Sequence, residues 1–300
     1  MNISETLGID GEKHLSPHFA GSKKSPENTL VEEKEVFPCF SPLEVFKNPE
    51  VVAAAQRKME LMFSEGRLLP DDVGRTLAAK LVGVGKAAVS VDKLEVDLKR
   101  VIDEAGVGEV ISQNFDDRFA RARFLSALVG PYLEGEVLDV GSGDGIVGDM
   151  IQKEFNRSVT LVDVVDIKRT ELPLVIFDGE SLPLPDKSQD TVLLIGSLHH
   201  GENPLSVLDE AIRVSKKRIV IIEPVYADKT LAGMLSAKFI DWMISRVMKR
   251  DDVPCPCKIC SVDEWEKIFQ ERGLKLIEKY DFDNGNKNVS EHSWMFVVDV

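Results

Sequence analysis

From about residue 116 onward, short unbroken apolar runs alternate with stretches in which apolar residues return every three or four positions. These are the two periods that mark buried strands and one-sided helices. Val137, Leu138 and Val140 open the series as a strand, Ile146–Phe155 follows as a helix, and Val159–Val162 is a second strand. Leu172–Phe177 and Asp190–Gly196 read as strands three and four. Leu205, Leu208 and Ile212 then recur at helical spacing, with Glu210 and Arg213 as a helix-surface pair, before a fifth strand at Arg218–Ile222. Ser261 and Glu264 spell a capping box and Gly273 a stop, which predicts a helix over Ser261–Gly273. Lys275–Phe282 and Trp294–Val300 close the chain as strands. This alternation predicts an α/β fold. Only Val164–Glu171 separate the second and third strands, too few for a crossover helix, so a loop or single turn is expected there.

The amino-terminal part has a different pattern. Residues 1–41 are polar, acidic and punctuated by Gly, Ser and Pro, which predicts a flexible tail without a signal or transit sequence. Residues 42–115 read as a helical accessory region built from Val51–Phe63, Asp71–Val84 and Asp92–Ala105; it either shapes a substrate mouth, mediates association, or packs for stability alone. Asp116–Leu133 is a further helix leading into a domain spanning 116–300. The most apolar long stretch, Leu231–Met248, is interrupted by Lys238, Asp241 and Arg246 and is no membrane span. Its Leu231, Leu235, Phe239, Trp242, Met243 and Val247 share one face, expected to serve as a lid or core element in preference to a membrane contact.

Composition narrows the partners. A 43% hydrophobic content over 300 residues supports a large core, and a formal charge of −14 disfavours nucleic acid. The one basic cluster, Lys216, Lys217 and Arg218, is expected at a helix end. Four cysteines with no secretion signal suggest a reducing, cytoplasmic setting.

The chemistry concentrates at Glu136–Gly145, EVLDVGSGDG. Gly141, Gly143 and Gly145 let a backbone turn sharply against a ligand, but Ile146 stands where a dinucleotide loop wants its third glycine, and Asp144 repels a pyrophosphate. Carboxylates beside a glycine turn suit a cationic nucleoside. Asp163 lies 18 residues beyond Gly145, near the spacing at which a strand-end acid takes ribose hydroxyls. VLDVGSGDG, Asp163, the block DGESLPLPDKSQDTV, the LHH ending at His200 and IIEP at Ile221–Pro224 together resemble the class I S-adenosylmethionine (SAM)-dependent methyltransferases, in particular the small-molecule group similar to quinone-biosynthesis methyltransferases. The resemblance implies a seven-stranded Rossmann-like sheet, parallel except for an antiparallel carboxyl-terminal hairpin. It also implies SAM as cofactor. The loop Gly141, Ser142, Gly143, Asp144 and Gly145, with Asp139 before it, then holds its methionine end, Asp163 the ribose, and Asp178 with Gly179 the adenine edge; Val164 and Val165 are the expected apolar contacts of the ribose and adenine walls, and Gly196 at the end of strand four completes the set. Asp163 and Asp178 also have a plainer reading as turn caps.

Methyl transfer from a sulfonium is an in-line displacement that needs alignment first and a base only where the acceptor must lose a proton. His200, and after it His199, is placed for that task, and Glu223 and Tyr226 are candidates for the acceptor side. Trp265 reads as a core anchor. Cys255, Cys257 and Cys260 form C-x-C-x-x-C; a metal there needs a fourth ligand such as Cys39 or a histidine, redox chemistry is a second option, and ordinary reduced thiols with no metal are the expectation. The function expected is methylation of a small-molecule acceptor; an RNA or protein methyltransferase and a non-catalytic SAM-binding assembly factor are the alternatives.

Overall fold

The computed structural model describes residues 36–64, 69–110, 118–248, 255–282 and 292–300. Among these, a 3-10 turn at Pro42–Lys47 leads into α1 (Pro49–Ser64), α2 (Asp71–Ala87) and α3 (Val91–Glu104). There follow α4 (Arg118–Val129), β1 (Glu136–Val140), α5 (Ile146–Phe155), β2 (Ser158–Asp163), β3 (Leu174–Ile176) and β4 (Gln189–Ile195). The chain continues through α6 (Pro204–Val214), β5 (Ser215–Val225), α7 (Leu231–Trp242), α8 (Val262–Glu271), β6 (Lys275–Asp281) and β7 (His292–Asp299).

The strands form one seven-stranded sheet in the order β3-β2-β1-β4-β5-β7-β6. β1 to β5 pair in parallel, and β7 runs antiparallel to both β5 and β6. The chain reverses its direction of travel between β1 and β4. That is the switch point where the carboxyl ends of open α/β sheets receive ligands.

Strand alternation sorts the core. Leu138, Val140, Ile219 and Ile221 face α6 and α8 on one side, while Val137, Val220 and Ile222 meet α4 and α5 on the other. Trp265 stacks on Phe269 with centroids 5.6 Å apart, as an anchor of the first layer. A third apolar cluster joins α1, α2 and α3 to α7 through Met59, Phe63, Leu81, Leu98, Phe239 and Met243. Met234 on α7 packs against both this cluster and the sheet core, so α7 ties the accessory helices to the domain.

Several expectations change. Residues 1–35 of the expected tail lie outside the described residues, but Val36 and Phe37 are buried in the sheet core, Phe37 edge-on to Trp265 at 6.4 Å. Lys216, Lys217 and Arg218 open β5 rather than end a helix; they pair with Asp190, Glu134 and Asp299. Glu210 and Arg213 do more than decorate α6. Glu210 accepts from Leu182 N, and Arg213 donates to Leu182 O and Leu184 O, pinning the loop before β4. The β2–β3 crossover contains no helix, as the short spacing requires. No helix among the described residues is long and apolar enough to cross a membrane.

Candidate active site

The bend after β1 is shaped by backbone geometry that side chains tolerate poorly. Gly141, Gly143 and Gly145 have φ of 72°, 56° and 75°. A Cβ on Gly141 would stand 2.3 Å from Ser197 Cβ, and one on Gly145 2.6 Å from Leu161 Cδ1, whereas one on Gly143 would meet nothing within 4 Å. The first and third glycines therefore serve close packing, and the middle one leaves a space. Gly141 N and Ser142 N donate to Val162 O, which binds the bend to the end of β2.

Of four sequence-selected carboxylates, Asp163, Asp144 and Asp139 belong to this bend and Asp178 caps its own turn beyond β3. Asp163 accepts from Gly143 N at 2.7 Å and from Val164 N at 2.7 Å, so it braces the loop while lying at the β2 end. Asp144 accepts from Ile146 N and pairs with Arg118 at 3.2 Å. Arg118 was not singled out in the sequence; the long separation from Asp144 leaves no local signal. Asp139, 3% exposed, accepts no hydrogen bond from the described residues. Burial, then Asp163 and Asp144, raises its pKa to about 7. Asp178 is exposed and accepts from Glu180 N and Ser181 N, which lowers its pKa; this is the turn-cap geometry. A Cβ on neighbouring Gly179 would lie 3.5 Å from Val164 Cγ1, so the β2 and β3 exits converge. Val164 is 52% exposed. Gly196, with φ of 60°, sits within reach of Arg121 and His199. Ser142 Oγ and Ser197 Oγ are buried without a partner beside the same bend.

The end of β4 is a second constellation. His199, 6% exposed, places Nδ1 2.5 Å from Glu223 Oε2 and Nε2 3.6 Å from Asp241 Oδ1. Burial alone would lower its pKa, but Glu223 and Asp241 outweigh it and raise the value to about 10. His199 is thus held between two carboxylates that favour its charged form over a free base. Glu223 turns inward, its other oxygen accepting from Ser197 N and Leu198 N, so it shapes the β4 exit instead of facing an acceptor. Tyr226 is likewise buried, bonded to Glu264. His200 lies 4.1 Å from the His199 ring centroid and hydrogen-bonds the Cys255 thiol. Cys255 Sγ approaches Asp241 Oδ2 and Cys257 Sγ, each at 3.3 Å. Cys39 is exposed and outside this group.

Residues 138–222 match the family model of a methyltransferase domain. No curated protein matches the chain. Among solved structures, a protein of Bacillus halodurans described as a candidate methyltransferase is 18% identical, with 61% of this chain and 98% of that one covered and a TM-score of 0.46. A SAM-dependent methyltransferase of Aquifex aeolicus is also 18% identical, with 64% and 98% covered and a TM-score of 0.44. Residues 138–222 thus form a methyltransferase domain, which implies SAM as its cofactor.

Proposed function

We propose that this domain transfers the methyl group of SAM to a small, largely apolar acceptor at the carboxyl ends of β1 and β4. The lining of the glycine bend carries the reading. Gly143 leaves open space, and around it lie the buried Asp139 carboxylate and the orphaned hydroxyls of Ser142 and Ser197. Such a lining fits a ligand that brings positive charge and hydrogen-bond donors but no phosphate. Gly141–Gly145 with Asp139 and Ser142 hold the methionine end in this reading. Asp144 acts indirectly, because its oxygens already serve Ile146 N and Arg118. Asp163 takes the ribose through the lone pairs that its backbone bonds leave over. Val164, Asp178 and Gly179 frame the adenine side, and Gly196 lets the β4 exit approach.

The bound cofactor supplies an electrophilic methyl on a sulfonium. The chain's part is to hold the acceptor in line with that methyl and keep water out. We assign no base: His199 is locked between carboxylates and His200 is engaged with Cys255. Glu223 is the positioning residue for the β4 exit through its bonds to Ser197 N and Leu198 N.

A small acceptor is supported by α7, whose Asp241 reaches the β4 end and whose apolar residues join the accessory helices above it. The charge of −14 disfavours a polyanion. The motifs shared with quinone-biosynthesis methyltransferases favour an apolar ring system. Incubation with isotopically methyl-labelled SAM and a cell extract, followed by separation of metabolites, RNA and protein, tests this. Label is expected in a low-mass product. Label confined to RNA or protein, or SAM binding without any product, would replace the reading with one of its alternatives.

A further inference from the structure

Asp241, Cys255 and Cys257 come from two segments, and one ligand atom from each lies within 4.8 Å of the others. Asp241 stands beside His199 and Cys255 beside His200, at the β4 exit. We propose that Asp241, Cys255 and Cys257, with the fourth position facing that histidine pair, hold a zinc ion that clasps α7 to the end of β4.

Two thiols, a carboxylate and an imidazole are the donor types that zinc takes in closed four-coordinate sites. Tetrahedral zinc with bonds of about 2.3 Å to sulfur and about 2.0 Å to oxygen sets sulfur–sulfur and sulfur–oxygen separations at roughly 3.8 and 3.5 Å; each pair is 3.3 Å apart here, so the ligand atoms have to spread by a few tenths of an ångström on loading. A disulfide would require about 2.05 Å.

The surroundings are those of a metal site. Asp241, 3% exposed, is a buried carboxylate whose two oxygens face His199 Nε2 and Cys255 Sγ, so it already belongs to a cluster of metal-binding atoms. Immediately beyond it α7 changes to a π-helix over Met243–Met248, a distortion that recurs at functional sites. Cys257 has φ of 53°, a left-handed conformation uncommon for a side-chain-bearing residue; here it turns both sulfurs of the C-x-C unit towards one point. Glu223 fixes His199 through Nδ1 and leaves Nε2 towards Asp241, the arrangement by which a carboxylate orients a metal-binding histidine. Buried Lys238, one turn before Asp241, donates to Pro38 O. On loading, zinc replaces protons: the thiols, and the histidine nitrogen that joins, release theirs to solvent as the coordinate bonds form. The low exposure of Asp241 and Cys257 makes this a structural clasp.

The experiment uses the full chain purified under reducing conditions. Elemental analysis should give one zinc per chain. Cobalt substitution should give a thiolate-to-cobalt charge-transfer band, and a chelator should lower the melting temperature. Cys257→Ser and Asp241→Asn should each weaken metal affinity at least about tenfold, while Cys39→Ser, at an exposed position outside the cluster, retains it. Should the buried variants fail to fold, the cobalt band of the wild type decides alone. Absence of both zinc and the band, a Cys255–Cys257 disulfide in the peptide map of the unreduced protein, or equal metal loss in Cys39→Ser would overturn the proposal.

Discussion

Asp139 carries the most informative single titration in the molecule. Its folded pKa of about 7 lies above the ordinary 3.8 because burial, then Asp163 and Asp144, disfavour the charged form. The native state therefore binds this proton more tightly than the unfolded chain does. Its stabilising contribution is complete below the unfolded pKa and is lost as pH rises towards 7. A cationic ligand has the opposite preference, for the ionised form. SAM affinity should accordingly rise with pH up to about 7 and then level. Asp139→Asn should weaken binding about tenfold at pH 8 and flatten that dependence, as measured by calorimetric titration across pH. A wild-type affinity indifferent to pH would remove Asp139 from the ligand's contacts. At this scale the glycines and strand-end acids were legible because each meets a constraint stated in a few neighbouring residues. Arg118 and the inward turn of Glu223 were not, since their partners Asp144 and His199 are close only in the fold.

At the scale of elements, α7 and the segment before the first 3-10 turn depart furthest from their hydrophobic patterns. The sequence of α7 presents one apolar face, yet Lys238 and Asp241 on the remainder are also buried, Lys238 against Pro38 O and Asp241 against His199 and Cys255. A periodicity reading assigns charged positions to solvent and has no means of foreseeing a polar cluster inside. Val36 and Phe37 are too short an apolar pair to register as an element, but Phe37 fills the space beside Trp265. Phe37→Ala should cost about 3–5 kcal/mol, readable as a large loss in denaturant midpoint with an unchanged slope. A shift within error of the wild type would place Phe37 outside the core. β5 extends beyond Arg218–Ile222 at both ends because Ser215 pairs with Gln189 of β4 across a register shift and Glu223–Val225 pair with β7, contacts that no local pattern encodes.

For the whole molecule, the sheet order and the placement of the bend at the β1–β4 switch follow from motif order and short connections, which is why the α/β architecture was legible along the chain. The acceptor was not, because no single segment of the sequence carries a motif that names it. The central claim, that the glycine bend receives SAM, is tested most directly at Gly143, where an added Cβ would meet no protein atom within 4 Å. Asparagine tolerates the left-handed φ of 56° found there, so Gly143→Asn should keep the fold and fill the cradle. Calorimetric titration of SAM should show one molecule per wild-type chain and an affinity at least about a hundredfold weaker, a loss of roughly 2.7 kcal/mol, in a Gly143→Asn protein of near-normal melting temperature. No binding to the wild type, or equal affinity in the variant, would contradict the account.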